Sequence, residues 1–107
     1  MKKSMLALVA GLPLALLAST STPKGFTDDL DAALARAKDG GKYVYACFSG
    51  SDWCGWCIKL EKEVFSDDAF AAAVKDDYEL VFIDSPRDKT RLSDHARAHN
   101  PELVKKY

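Results

Sequence analysis

Two cysteines stand two residues apart in the stretch Ser51-Asp-Trp-Cys-Gly-Trp-Cys-Ile58, Cys54 preceded by Trp53 and Cys57 by Trp56. Three kinds of chemistry use such a spacing. A metal site takes about four ligands, and structural zinc usually draws them from two such pairs. Here there is one pair, so Cys47 and the two histidines, His95 and His99, would have to complete the set. Covalent haem attachment wants a histidine directly after the second cysteine, and Ile58 stands there. An inert bridge is the second kind, but closing so short a loop gains little, because the entropic benefit grows with loop length. The third is a reactive pair. At the first turn of a helix, unpaired N–H groups and the positive dipole end stabilise a thiolate. The thiolate is the nucleophile, so a depressed pKa activates it. Cys54 is the expected attacker, and Cys57, one turn later, would attack the mixed disulfide and release the product. Of the three, the reactive pair has the fullest physical mechanism; on the residues alone, the metal and structural readings stay open beside it.

The neighbours sharpen this. From Cys54 to Phe65 the pattern is helical, with Cys57, Ile58, Leu60, Val64 and Phe65 on an apolar arc and Lys59, Lys62 and Glu63 opposite. Glu61 falls near the middle of the apolar arc, four residues after Cys57. A carboxylate there is expensive unless paired or protonated. It is a candidate to take the proton of Cys57, against the plainer reading of a salt bridge at the helix edge. Trp56, between the cysteines, cannot be core if Cys54 is accessible; it shields the disulfide or touches substrate. Trp53 reads as an anchor for the loop, Asp52 and Arg87 as solvated loop residues, and Cys47 as an ordinary buried thiol. His95 and His99, at i and i+4, read as part of a surface helix.

The elements that position these residues follow from pattern. Thr27 is expected to cap a first helix, with Asp28 and Asp29 in its first turn, Leu30, Ala33, Leu34 and Ala37 on one face, and Gly40 and Gly41 at its end. Tyr43 to Phe48 is apolar throughout and reads as a strand buried on both faces. Ser66 or Asp67 caps a short helix carrying Phe70, Ala73 and Val74. Tyr78 to Ile83 is a second strand, ended by Asp84-Ser-Pro-Arg87. Thr90 to His99 reads as a helix, and Pro101 as the first position of another, capped by Asn100. Two strands joined by a helical crossover are predicted to run parallel with a right-handed connection. Their carboxyl ends then share one sheet edge, which carries both the cysteine pair and Asp84 to Arg87. Open α/β sheets place their chemistry there. Two parallel strands alone make an incomplete sheet, so the expectation is the front part of a longer domain.

Composition sets the outer bounds. The 107 residues, 48% hydrophobic and 29% charged with a net charge of −1, describe one small globular domain. No basic stretch is present, which argues against nucleic acid and an anionic membrane surface. Residues 1–20 differ: Lys2 and Lys3, an apolar run from Met5 to Leu17 broken by Gly11 and Pro13, then small residues. That is the layout of an export signal, too short for a span needing about 20 apolar residues. The expected organisation is a signal at 1–20, with an ambiguous cleavage bond among the small residues, a linker at 21–26, and a domain from 27 to 107. Export implies a periplasmic or secreted protein with no stable membrane span, where disulfides persist.

The stretches FSGSDWCGWCIKLEKEVFSDDAF, FIDSPRDK and NPELVKKY together resemble the exported bacterial branch of the thioredoxin-like superfamily, over about residues 26–107. The resemblance implies an α/β thioredoxin-like fold and thiol–disulfide exchange with protein substrates. It makes Cys54 the attacker, Cys57 the resolver and Trp53 the preceding aromatic, with Trp53 and Trp56 facing substrate. It implies no metal or organic cofactor, and a redox partner protein to reset the pair. Two departures stand out. The chain ends before the family's cis-proline loop, which neither Pro86 nor Pro101 matches. The strand before the pair, at Ala46, Cys47 and Phe48, lacks the acid of cytosolic thioredoxins. The rival from another class is a non-enzymatic secreted module whose CGWC holds a structural disulfide or part of a metal site.

Overall fold

The computed structural model describes residues 19–107; most of the expected signal, residues 1–18, lies outside the described residues. Helix α1 (Leu30–Gly40) leads into strand β1 (Tyr43–Ser49). Helix α2 (Gly55–Leu60) follows and runs on through a π-turn at Glu61–Phe65. Helix α3 (Asp68–Val74), strand β2 (Tyr78–Asp84), a 3-10 turn at Lys89–Arg91 and helix α4 (Asp94–Lys106) complete the order.

The strands pair in parallel, from Tyr43 opposite Tyr78 to Ser49 opposite Asp84. Thr27 adds a single parallel bridge to Val81 on the other side of β2, so β2 has neighbours on both sides. Val81, Phe82 and Ile83 are accordingly at most 1% exposed, each contributing about 1.5–3 kcal/mol by burial. Alternation along the strands makes two layers. Val81 and Ile83 meet Leu30 and Ala33 of α1, with Val44 and Leu103 at the margin. On the opposite face Phe82 meets an aromatic cluster. Phe26 lies 6.0 Å edge-on from Phe82, 4.8 Å from Phe65 and 6.4 Å from Phe70, and Tyr45 lies 6.2 Å from Phe65.

Capping explains most boundaries. Asp29, rather than Thr27, caps α1, its carboxylate accepting from the Ala32 amide. Thr27 instead accepts from the Asp29 amide at 3.1 Å while its backbone bridges β2. Gly41 ends the helix at φ 66°, a left-handed conformation that glycine adopts without a Cβ penalty. Asp67 caps α3 and Ser93 caps α4.

Three further expectations are corrected. Strand β1 is not buried on both faces: Tyr43 is 74% exposed, and Tyr45 and Phe48 about 40%. Among the described residues it pairs only with β2, so nothing covers its far side. Pro101 does not open a separate helix but lies inside α4; its missing N–H forfeits one bond to the preceding turn. Asn100 is therefore no cap. It is 2% exposed, and its Nδ2 donates to the Asp84 carbonyl at 2.8 Å.

Candidate active site

Strand β1 delivers the chain to the sheet edge at Ser49, and β2 delivers Asp84 beside it. Ser49-Gly-Ser-Asp52 turns the chain, and the Cys54 amide closes the turn by donating to the Gly50 carbonyl at 2.8 Å. Cys54 is the N-cap of α2, with its Sγ accepting from the Cys57 amide at 3.3 Å. A sulfur in that position receives a backbone N–H at the helix start, the arrangement that stabilises a thiolate once the bond is reduced. Cys54 and Cys57 form a disulfide with their Cα atoms 5.2 Å apart. Both are half-buried, whereas Trp56 between them is 81% exposed.

Trp53 turns back over the loop. Its indole Nε1 donates to the Ser85 carbonyl at 2.8 Å, and the ring covers Gly50 so closely that a Cβ there would sit 2.2 Å from it. Trp53 remains 51% exposed, so one ring face anchors the loop and the rest borders the disulfide turn.

Asp52 does more than a solvated turn residue. Its carboxylate accepts from the Arg87 amide at 2.8 Å and the Asp88 amide at 2.9 Å, and these two bonds hold it below the ordinary carboxylate range. One residue earlier, Ser51 donates its amide to Asp84 Oδ1 at 2.8 Å and its hydroxyl to Asp84 Oδ2. Arg91 Nε reaches the Ser51 hydroxyl at 3.2 Å. The Ser85 amide donates to the Ser49 carbonyl at 2.8 Å. The loop after β1 is thus fastened to the loop after β2 at every residue from Ser49 to Trp53 except Gly50. Sequence reasoning placed these loops at one edge but gave Asp52, Ser51, Asp84 and Arg91 no part in the site. The available signal was Asp84, an acid ending an apolar strand in register with Ser49.

Beneath the pair, the residues of α2 and the π-turn that face the sheet are Cys57, Glu61 and Phe65. All three are less exposed than Ile58, Leu60 and Val64, which are 36–42% exposed. The wheel therefore placed Glu61 on the inner side correctly, but the apolar residues around it are not its cover. Burial pushes the Glu61 carboxyl above its ordinary value, the nearby Asp84 carboxylate pushes it further, and Arg91 opposes both. Cys47 faces the same space: burial, then Glu61, raise its thiol pKa. It is a free, half-buried cysteine. His95 and His99 stack on α4 with ring centres 4.1 Å apart, and His95 Nε2 lies 3.5 Å from Asp29. Among the described residues, no group of three or more His, Cys, Asp or Glu is placed to hold a metal, and no helix is long and apolar enough to cross a membrane.

The sequence pattern of the thioredoxin-like family matches residues 25–104. The chain belongs to that family. The match takes in every thioredoxin-like element described above, from Phe26 and Thr27 to the body of α4. Two curated relatives come from Chlamydia pneumoniae. "Disulfide bond reductase DsbH" is 32% identical over 75 residues, covering 70% of this chain and 45% of the relative. "Thioredoxin-related protein DsbJ" is 29% identical over 79 residues, covering 74% of this chain and 22% of the relative. The chain thus spans less than half the length of either. Among solved structures, a "DsbH Oxidoreductase" superposes with a TM-score of 0.64 at 26% identity, covering 97% of this chain and 67% of that one. The thioredoxin-like α/β fold, with its parallel strand pair and flanking helices, is the one expected from the sequence.

Proposed function

We propose that the protein is an exported thiol–disulfide oxidoreductase that exchanges disulfides with protein substrates through Cys54 and Cys57. The observation that carries this is the Cys54–Cys57 disulfide at the N-terminus of α2, with Cys54 as the cap. In the reduced enzyme the Cys54 thiolate attacks one sulfur of a substrate disulfide. A mixed disulfide forms and the other substrate sulfur leaves as a thiolate. The Cys57 thiol, deprotonated with Glu61 as acceptor, attacks Cys54 Sγ. The second substrate sulfur leaves, and the enzyme holds the Cys54–Cys57 bond. Two electrons have passed to the substrate, and a partner protein's dithiol must return them. The name of the Chlamydia pneumoniae reductase supports this direction.

Trp56, exposed between the cysteines, and the free part of Trp53 offer aromatic surface to a substrate chain. The signal-like residues 1–20 support a periplasmic or secreted site of action, where substrates with disulfides occur. No metal or organic cofactor enters the reaction.

The test is Cys57→Ser in the 107-residue chain, reduced and mixed with a disulfide-bonded protein. The exchange reading predicts a covalent complex through Cys54, released by dithiothreitol. A structural bridge predicts instead lower stability and no complex, and that result would overturn the proposal.

A further inference from the structure

The fold's contacts start earlier than the end of the expected signal. Ser19 is 5% exposed. Its amide nitrogen lies 3.2 Å from Asp28 Oδ2 and its hydroxyl donates to the same oxygen at 2.6 Å. The hydroxyl also accepts from the Ser93 amide at 2.9 Å, and the Ser93 hydroxyl donates to Asp28 Oδ2 at 2.8 Å. Next to it, the Thr20 amide donates to the Arg91 carbonyl at 2.9 Å. Ser19 therefore clips the entry of α1 to the cap of α4, and Thr20 ties the same stretch to the 3-10 turn. Asp28 is partly buried, which opposes its charge. The bonds from Ser19 and Ser93 outweigh that and hold it below the ordinary carboxylate range.

We propose that the export signal is removed between Ala18 and Ser19, and that the new α-ammonium of Ser19 pairs with Asp28. The inference rests on the export reading above and narrows it to one bond. Hydrolysis by a signal peptidase adds water across this peptide bond. Ala18 leaves with a new carboxylate and Ser19 keeps the nitrogen as an ammonium. Ala18 is the small residue directly before this bond, while Leu16, at the third position before it, is larger than an A-x-A-like site carries.

The two cuts differ in what they leave at Asp28 in the folded product. A cut after Thr20, where the signal-like stretch ends, removes two of the three donors to Asp28 Oδ2 and leaves the Ser93 amide without its partner. A cut before Ser19 keeps every hydroxyl contact. It also replaces a neutral N–H by a cation at 3.2 Å from the carboxylate, charged at neutral pH because α-amino groups titrate near 7.7–8.0. Charge-assisted hydrogen bonds are the stronger kind, so processing at this bond tightens the clip.

The test produces the 107-residue chain in a Gram-negative bacterium and reads the N-terminus of the periplasmic protein by sequential degradation and intact mass. The expected order is Ser-Thr-Ser-Thr-Pro. A first residue of Ser21, or any other start, overturns the inference and leaves export standing. An uncut chain kept in the cytoplasm overturns both. In the processed protein, NMR titration of the α-amine gives a second readout. A pKa raised by about 1 unit through its carboxylate partner is expected, returning to the ordinary range in Asp28→Asn. An ordinary value in both proteins overturns the pairing.

Discussion

Substituting Gly50 tests the account of the disulfide turn most directly, because the direction of the effect should depend on Trp53. A Cβ at residue 50 would sit 2.2 Å from Trp53 Cε2 and 2.5 Å from Nε1. Ordinary carbon contacts need about 3.5 Å, so in Gly50→Ala the indole must move by roughly 1 Å. Its bond to the Ser85 carbonyl, 2.8 Å long, then breaks. Losing that bond costs about 1 kcal/mol. Unseating a half-covered ring exposes on the order of 100 Å², worth up to about 2.5 kcal/mol, part of which is recovered as the ring settles elsewhere. Gly50→Ala should therefore destabilise by about 2–3 kcal/mol. In a Trp53→Ala background the obstacle is gone. Gly50 is not among the glycines with positive φ, so alanine fits its backbone and stiffens the unfolded chain, giving a gain of about 0.4–1 kcal/mol. The assay is a double-mutant cycle by urea unfolding, followed by far-UV circular dichroism so that losing a tryptophan does not affect the signal. Equal costs for Gly50→Ala in both backgrounds would refute the reasoning.

Other substitutions probe other parts of the site. Asn100→Ala leaves the Asp84 carbonyl without its donor and should cost about 1–3 kcal/mol by chemical denaturation; Asn100→Asp, which sets an acceptor against that carbonyl, should cost more. Asp52→Ala should lower stability at neutral pH, read as a smaller urea midpoint, because the Arg87 and Asp88 amides lose their acceptor. Because Asp52 is held below the ordinary carboxylate range, its contribution is present above that range and is lost as pH falls through the lowered value, so the variant and wild type should converge in acid. Glu61→Gln should slow release of the mixed disulfide about 100-fold and flatten the rise of that rate with pH in stopped-flow measurements. The same variant should be neutral or more stable at neutral pH. The raised Glu61 pKa makes its ionised form a cost above that value, and the cost vanishes once pH drops below the ordinary glutamate range.

Periodicity and capping chemistry made the parallel strands, the helix order and the shared edge legible, because each depends on local pattern and one chirality rule. Burial was less legible. Tyr43 to Phe48 is apolar throughout and reads as interior, yet burial depends on how many neighbours a strand has, which its own residues do not record. Pro101 misled for a related reason. Its fixed φ suits the start of a helix, but a helix already anchored by Asn100 on Asp84 tolerates one missing hydrogen bond. Cys54 and Cys57 were visible as a pair from spacing. The Asp52 and Asp84 contacts were not, because they join residues more than thirty positions apart. Single acids near turns look alike until the fold brings amides to them.

The fastening of the two loops has a consequence for motion. The disulfide turn has no hinge of its own: Ser51, Asp52 and Trp53 each hold the segment from Asp84 to Asp88. When the sulfur–sulfur bond opens or closes, the turn cannot swing away as a flap. Either the cysteine side chains alone take up the change, or both loops travel together as one rigid plate over the end of the sheet. The second case would make a contact at Arg87 or Asp88, well outside the disulfide, able to sense the oxidation state of Cys54.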